Sequence, residues 1–278
     1  PEDYGEVIIN GLEEIFTEHG IYPAEIDYLV HATTVATNAV LEDKGAKTGL
    51  ITTDGFRDVL ELRRIRIPEL FNLDYIKPNP LIQRRYRLEV KERLGPDGTV
   101  RIPLDESSVM AAAERLRIAE VESVAICLLH SYANPDHERR VADLIGKILP
   151  SSVFISCSSE ILPEIREYER TSTTVVNAFL GPVVSRYLDS LTHRLKSAGI
   201  NCPLHIMQSS GGQMSVDSAV TKPAYLVESG PAAGVIAAAR IAKQAGLSNV
   251  ITLDMGGTTT KTALVENGEP AKTNEYEI

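Results

Sequence analysis

Residues 253–261 read LDMGGTTTK, and the parsing of this stretch decides the architecture. Asn249–Asp254 (NVITLD) and Lys261–Glu266 (KTALVE) read as strands on either side of Met255–Thr260. An apolar strand therefore delivers the Asp254 carboxylate at its end, and two glycines and three threonines form the turn. Glycine lets backbone N–H groups converge on a phosphate with no Cβ in the way, and threonine hydroxyls add donors. Asp254, Gly256, Gly257, Thr258 and Thr259 are thus candidate phosphate-binding residues. Asp254 is also the candidate Mg2+ ligand, because oxygen donors suit a hard cation. The spacing is neither GxxxxGK[ST] nor GxGxxG, and alone it fits an ordinary hairpin with a polar tip as well.

Two further turns lie just upstream. Strand Leu204–Gln208 ends in Ser209-Ser210-Gly211-Gly212, and Glu228-Ser229-Gly230-Pro231-Ala232-Ala233-Gly234 opens a helix that stops before Gly246. In the second, Ser229 or Gly230 can cap, Pro231 suits the first helical turn, and the free N–H groups make an anion site. Ligands of open α/β sheets lie beyond the carboxyl ends of strands. Gly211, Gly212, Ser229 and Gly230 therefore join the candidates for one shared phosphate or nucleotide site.

The remainder of the chain supplies an α/β rhythm. A helical stripe over residues 4–19 precedes strand Ile26–Thr33, helix Thr34–Lys44 and strand Lys47–Thr52, the order of a parallel unit. Residues 63–104 break that rhythm with Pro68, Pro78 and Pro80. A predicted hairpin of Arg85–Arg93 and Thr99–Leu104 follows, turning at Gly95-Pro96-Asp97-Gly98. Helix Glu106–Ala119, strand Ser123–Leu129, helix Pro135–Ile148 and strand Val153–Ser156 resume the pattern, and a long helix runs from Pro163 to about Ser197 with Pro182 as a break. In His31–Asn38 (HATTVATN), Thr33, Thr34, Thr37 and Asn38 suit either a polar substrate or the cap of the next helix. Glu164, Glu167, Arg166 and Arg170 crowd one helix start. They fit exposed ion pairs, or a carboxylate and an arginine (Glu167, Arg170) facing a reaction centre.

Lys plus Arg is 28 against 38 Asp plus Glu, a formal charge of −10, which argues against broad nucleic-acid binding. No apolar run is long enough for a membrane span, the first residues (PEDYGEVIING) show no signal-peptide pattern, and the unpaired cysteines fit a reducing, cytoplasmic setting. Cys127, Cys157 and Cys202 form no CxxC pair and read as small hydrophobes, and the six histidines show no zinc spacing.

Together these motifs resemble the hydantoinase A/5-oxoprolinase family. The resemblance is carried by HATTVATNAVLEDKGAKTGLITTDGFRDVLELRR (31–64), AICLLHSYANPDHE (125–138) and SSEILPEIREYERTSTTVVNAFLGPVVSRYL (158–188). It continues through HIMQSSGGQMS (205–215), ESGPAAGV (228–235) and LDMGGTTTK (253–261). It implies actin/sugar-kinase-like (ribonuclease H-like) α/β lobes with an inserted β-hairpin region. An N-terminal-type domain over 1–175 and the start of a main domain over 176–278 are expected. It implies an A-type subunit that uses ATP and Mg2+ to phosphorylate and open a small cyclic amide, working with a B-type subunit in an oligomer. An ATP-dependent carboxylase subunit and a chaperone-like ATP-binding module are the alternatives. By the same resemblance a first phosphate hairpin would precede residue 1 and the second lobe would continue past Ile278, so the chain alone is expected to be inactive. Two departures stand out: Ala32 replaces a common glycine, and Lys261 stands where many relatives carry an acidic residue.

Overall fold

The computed structural model describes residues 4–64, 71–72, 74–255 and 260–273. Its elements are α1 (Tyr4–His19), β1 (Leu29–His31), α2 (Val35–Leu41), β2 (Thr48–Thr53), α3 (Val59–Leu62), β3 (Arg87–Val90), β4 (Arg93–Leu94) and β5 (Val100–Ile102). There follow α4 (Glu106–Ile118), β6 (Ser123–Cys127), α5 (Asp136–Ile145), β7 (Phe154–Cys157), α6 (Ser158–Ile161) and α7 (Glu167–Ser197). The last are β8 (Leu204–Met207), β9 (Gln213–Ser215), α8 (Val216–Thr221), α9 (Ser229–Gln244), β10 (Val250–Met255), β11 (Thr260–Glu266) and β12 (Glu269–Pro270). They form two compact units. One joins Pro1–Glu42 to Val184–Ile278, and the other is Asp43–Val183.

The unit Asp43–Val183 is built on a parallel sheet of order β3-β2-β6-β7. Every residue of β2 and β6 is buried, as expected of parallel strands covered on both faces. The side-chain alternation of a strand then sorts residues by face. Ile51, Val124 and Ile126 pack with Val109 and Leu116 of α4 and Val141 and Ile145 of α5. Leu50, Ala125 and Cys127 pack with Leu60 of α3 and Val175 and Ala178 of α7. Asp105 accepts from Ser107 N (3.0 Å) and so caps α4.

The predicted hairpin over 85–104 is corrected by this sheet. Residues 87–90 pair in parallel with β2, because Leu88 and Val90 are core side chains, and only Arg93–Leu94 pair with Val100–Ile102. The long helix begins at Glu167, later than Pro163, and carries Pro182 within a single element. Helix Thr34–Lys44 shortens to Val35–Leu41.

In the other unit β1 runs parallel to β8, which pairs antiparallel with β9. Beside them Leu191, Leu195 and Ile200 pack against Ile8, Ile9, Leu12 and Phe16 of α1, whereas Val7 and Ile15 of the same apolar stripe are exposed. A second sheet, β10-β11-β12, is antiparallel, and α9 packs against it. Among the described residues no helix is long and apolar enough to cross a membrane.

Candidate functional site

The unit formed by Pro1–Glu42 and Val184–Ile278 holds four of the motifs singled out by sequence. Thr33 and Thr34 form the turn between β1 and α2. Thr33 is buried, and its hydroxyl accepts from Val35 N (3.1 Å), which tightens the turn. Thr34 is exposed at the N-cap of α2 without a side-chain capping bond, and half-buried Asn38 reaches back to it (Nδ2 to Oγ1, 3.5 Å).

This turn is tied to the start of α9 almost two hundred residues away. The fully buried Ser229 hydroxyl donates to Thr33 O (3.0 Å), and Glu228 N donates to the buried Thr37 hydroxyl (2.8 Å). At Gly230 a Cβ would stand 3.2 Å from Thr34 Cγ2, so glycine here permits close approach of helix and turn. Glu228 precedes α9 at φ 61, a left-handed conformation that is uncommon for a side-chain-bearing residue.

The third partner is the β10–β11 hairpin. Asp254 and Lys261 face each other in register, and Lys261 Nζ makes an ion pair with Glu228. Asp254 is exposed at the end of β10. The turn residues Gly256, Gly257, Thr258 and Thr259 lie outside the described residues. Among the described residues no group of three or more His, Cys, Asp or Glu is arranged to hold a metal ion.

Gly211 and Gly212 belong to the tight turn joining β8 to β9. Gly211 has φ 85, its N–H closes the turn onto Gln208 O (3.0 Å), and its Cα faces Ile236 of α9. Thr33, Thr34, Asn38, Ser229, Gly230, Lys261 and the Asp254 strand are thus joined by direct bonds, close approach or strand register, while Gly211 meets the flank of α9. Sequence reasoning missed Glu228, which binds both the Thr37 hydroxyl and Lys261. The one available signal was a lysine in the hairpin with a glutamate at the helix start.

Glu167 and Arg170 lie in the unit Asp43–Val183. Glu167 is exposed at the start of α7, whereas Arg170 is buried and donates to Glu164 O (2.8 Å) and Leu128 O (2.9 Å). Cys127 and Cys157 are buried and their thiols are pushed up by desolvation, and Cys202 is half-buried.

A strand hairpin, a helix start and a hydroxyl-rich strand–helix turn thus meet on an α/β frame. The description "Hydantoinase/oxoprolinase N-terminal region" matches residues 1–149, and "Hydantoinase/oxoprolinase" matches residues 170–278. The chain belongs to the hydantoinase/oxoprolinase family. It is 47% identical over 257 residues to an uncharacterized protein of Methanocaldococcus jannaschii, covering 91% of this chain and 38% of that one. It is 38% identical over 274 residues to the caprolactamase subunit alpha of Pseudomonas jessenii, covering 96% and 39%. To the 5-oxoprolinase of Saccharomyces cerevisiae it is 32% identical over 304 residues, covering 96% and 23%. The nucleotide-free structure of acetone carboxylase, solved for the mechanism of ATP-dependent acetone carboxylation, superposes with a TM-score of 0.89 at 28% identity, covering 97% of this chain and 40% of that one. The chain therefore spans about two fifths or less of the relatives it matches.

Proposed function

We propose that the chain supplies the glycine-hairpin half of a phosphate grip in an ATP-dependent enzyme that opens cyclic amides. The observation that carries this reading is the junction at Glu228. There the start of α9, the Thr33–Thr37 turn and the Lys261 end of the hairpin are bonded together. A helix start beside a glycine hairpin offers N–H donors and positive potential to a polyphosphate. The family relatives named for caprolactam and 5-oxoproline point to a lactam as the second substrate. The actin/sugar-kinase-like lobe arrangement belongs to the same reading, as do the A-type role and a B-type partner subunit.

Mg2+ fits the exposed Asp254 carboxylate, since this ion keeps most of its waters and needs only one or two protein carboxylates beside phosphate oxygens. The ion would supply charge neutralisation at the transferring phosphoryl group. The chain's own part is positional. Asp254 holds negative charge at the strand end, and the ion pair with Glu228 fixes the cross-strand Lys261. Thr34 and Asn38 then present polar groups beside the helix start. An amide is a poor electrophile, so such a site works by orienting the phosphoryl donor against the carbonyl oxygen.

The test is ATP turnover by the full-length protein assembled with its partner subunit. Turnover that requires a lactam or hydantoin, and that falls at least about a hundredfold in Asp254→Asn, is the expected result. Turnover without any cyclic amide would favour a chaperone-like module. Bicarbonate-dependent consumption of a ketone would favour the carboxylase reading, which the acetone carboxylase likeness keeps as the second one.

A further inference from the structure

The parallel sheet of the unit Asp43–Val183 has its own switch point. From β2 the chain passes to β3 on one side and then crosses to β6 on the other, so the strand order reverses between β2 and β6. Outside the carboxyl ends of two such strands is where open α/β sheets accept ligands.

A polar chain occupies that edge. Leu129 N, just beyond β6, donates to Thr53 Oγ1 at the end of β2 (2.9 Å), and the Thr53 hydroxyl donates to Glu92 Oε1. Glu92 Oε2 lies 2.8 Å from His137 Nδ1, with the carboxylate fully buried and the imidazole 12% exposed. Both oxygens of Glu92 are therefore engaged, and the carboxylate fixes the imidazole by its Nδ1–H. His137 Nε2 has no hydrogen-bond partner among the described residues.

Three arginines and the Glu92 carboxylate lie within electrostatic reach of the neighbouring His130. His130 sits at φ 59 beyond β6, with Nδ1 3.1 Å from Tyr132 Oη. Burial, and then the charges of Arg170, Arg93 and Arg101, hold its imidazole below the usual range. Arg93 stacks on Phe56 at 4.9 Å and has no ion-pair partner among the described residues. Asn134 Nδ2 donates to Gly98 O (3.1 Å), which ties the His130 loop to the hairpin that carries Arg93 and Arg101. The other buried carboxylate nearby, Glu138, has its oxygens bonded by donors of the fold: Leu128 N, Ser159 N and the Ser158 hydroxyl. A purely structural role accounts for Glu138. It leaves Nε2 of His137 and the charge of Arg93 without protein partners among the described residues.

We propose that the carboxyl edge of β2 and β6 binds a small oxyacid anion, a carboxylate or a phosphate, with Glu92 presenting Nε2 of His137 to the ligand and Arg93 supplying the countercharge. Oxygens of either anion can accept from the imidazolium N–H at Nε2, and a phosphate that keeps a hydroxyl can also donate to the lone pair of the neutral ring, which an ionised carboxylate cannot. This site is independent of the phosphate grip in the other unit.

The probes are acetate and inorganic phosphate, titrated separately into the isotope-labelled 278-residue chain while the His130 and His137 imidazole resonances are followed by NMR. Saturable shifts with at least one anion are expected. Acetate alone would mark a carboxylate site and phosphate alone a phosphate site. Arg93→Met should weaken binding about tenfold and Arg93→Lys much less, as one lost charged contact implies. Glu92→Gln should change the tautomer balance of His137 in long-range nitrogen spectra. If that variant fails to fold, Arg93→Met at its partly exposed position still decides the matter. Shifts that stay linear and match chloride at equal ionic strength would overturn the proposal, as would saturable binding untouched by Arg93→Met.

Discussion

At the scale of single residues, His31 couples the site to pH. Its Nε2 lies 2.6 Å from Tyr187 Oη, and burial lowers its pKa to about 4. In the unfolded chain the imidazole takes up its proton near pH ~6.5. As pH falls below that value the unfolded state binds a proton that the native state refuses, so stability declines between roughly pH 6.5 and 4 and then levels off from this source. The loss is at most about 3 kcal/mol. Urea unfolding at several pH values should show it, and His31→Gln should flatten the curve in that window; an unchanged curve would show that His31 is not the group responsible. The thiols make a second residue-scale case. A thiolate is the reactive form, and burial raises the pKa of Cys127 and Cys157. Iodoacetamide should modify half-buried Cys202 in the native chain and reach the other two only on unfolding, which mass spectrometry of digests would read directly. The sequence already marked the cysteines as packing residues, because each sits in an apolar or strand-like run. It could not mark the partners of Thr33, Thr37 or Glu92. Their bonds to Ser229, Glu228 and His137 span 196, 191 and 45 positions, and no local pattern encodes such distances.

At the scale of elements, two glycines near the site separate backbone conformation from packing. Gly211 closes the β8–β9 turn at φ 85, where any Cβ is strained, and an added methyl would stand 2.5 Å from Ile236 Cδ1. That atom ends a flexible, part-exposed side chain that can move, so the backbone term dominates, and Gly211→Ala should cost about 1–2 kcal/mol. Gly234 lies within α9 with open space around its Cα, and Gly234→Ala should stabilise by about 0.5–1 kcal/mol. Chemical denaturation of the two variants should move the midpoint in opposite directions. Equal shifts would mean that the turn conformation carries no cost. Elements with strong local signals were legible: β2 and β6 from their apolar runs, α4 from the resumed α/β rhythm, and α9 from Pro231. β3 was not, because Arg87 in its sequence suggests an exposed hairpin strand. In the fold Arg87 is only 2% exposed, bonded to Ile82 O and Glu61, and the strand joins the parallel sheet. Tertiary pairing of an arginine overrode its ordinary preference for the surface.

At the scale of the whole molecule, the β3-β2-β6-β7 and β10-β11-β12 sheets differ in how completely they are covered. β2 and β6 are buried on both faces by helices, and the ladder between them runs from Thr48–Ser123 to Thr52–Cys127. In the β10–β11 hairpin, by contrast, Ile251, Leu253 and Met255 are 75%, 66% and 71% exposed, and the opposite face rests on α9. Local opening is cheapest where few apolar groups leave contact when a hydrogen bond breaks. Amides of β2 and β6 should therefore exchange with deuterium only through global unfolding, whereas those of β10 and β11 exchange through a smaller opening at lower denaturant. Ile126→Ala, which removes a core side chain between α4 and α5, should destabilise by about 3 kcal/mol and accelerate exchange in β2 and β6 by the matching factor. It should leave β10–β11 exchange nearly unchanged, because that opening does not disturb the parallel sheet. Peptide-resolved hydrogen exchange of the chain and this variant distinguishes the cases. Uniform acceleration across β2, β6, β10 and β11 would mean that both sheets open in one cooperative event. The expected split would instead leave the hairpin that carries Asp254 and Lys261 able to open on its own while the parallel sheet stays intact.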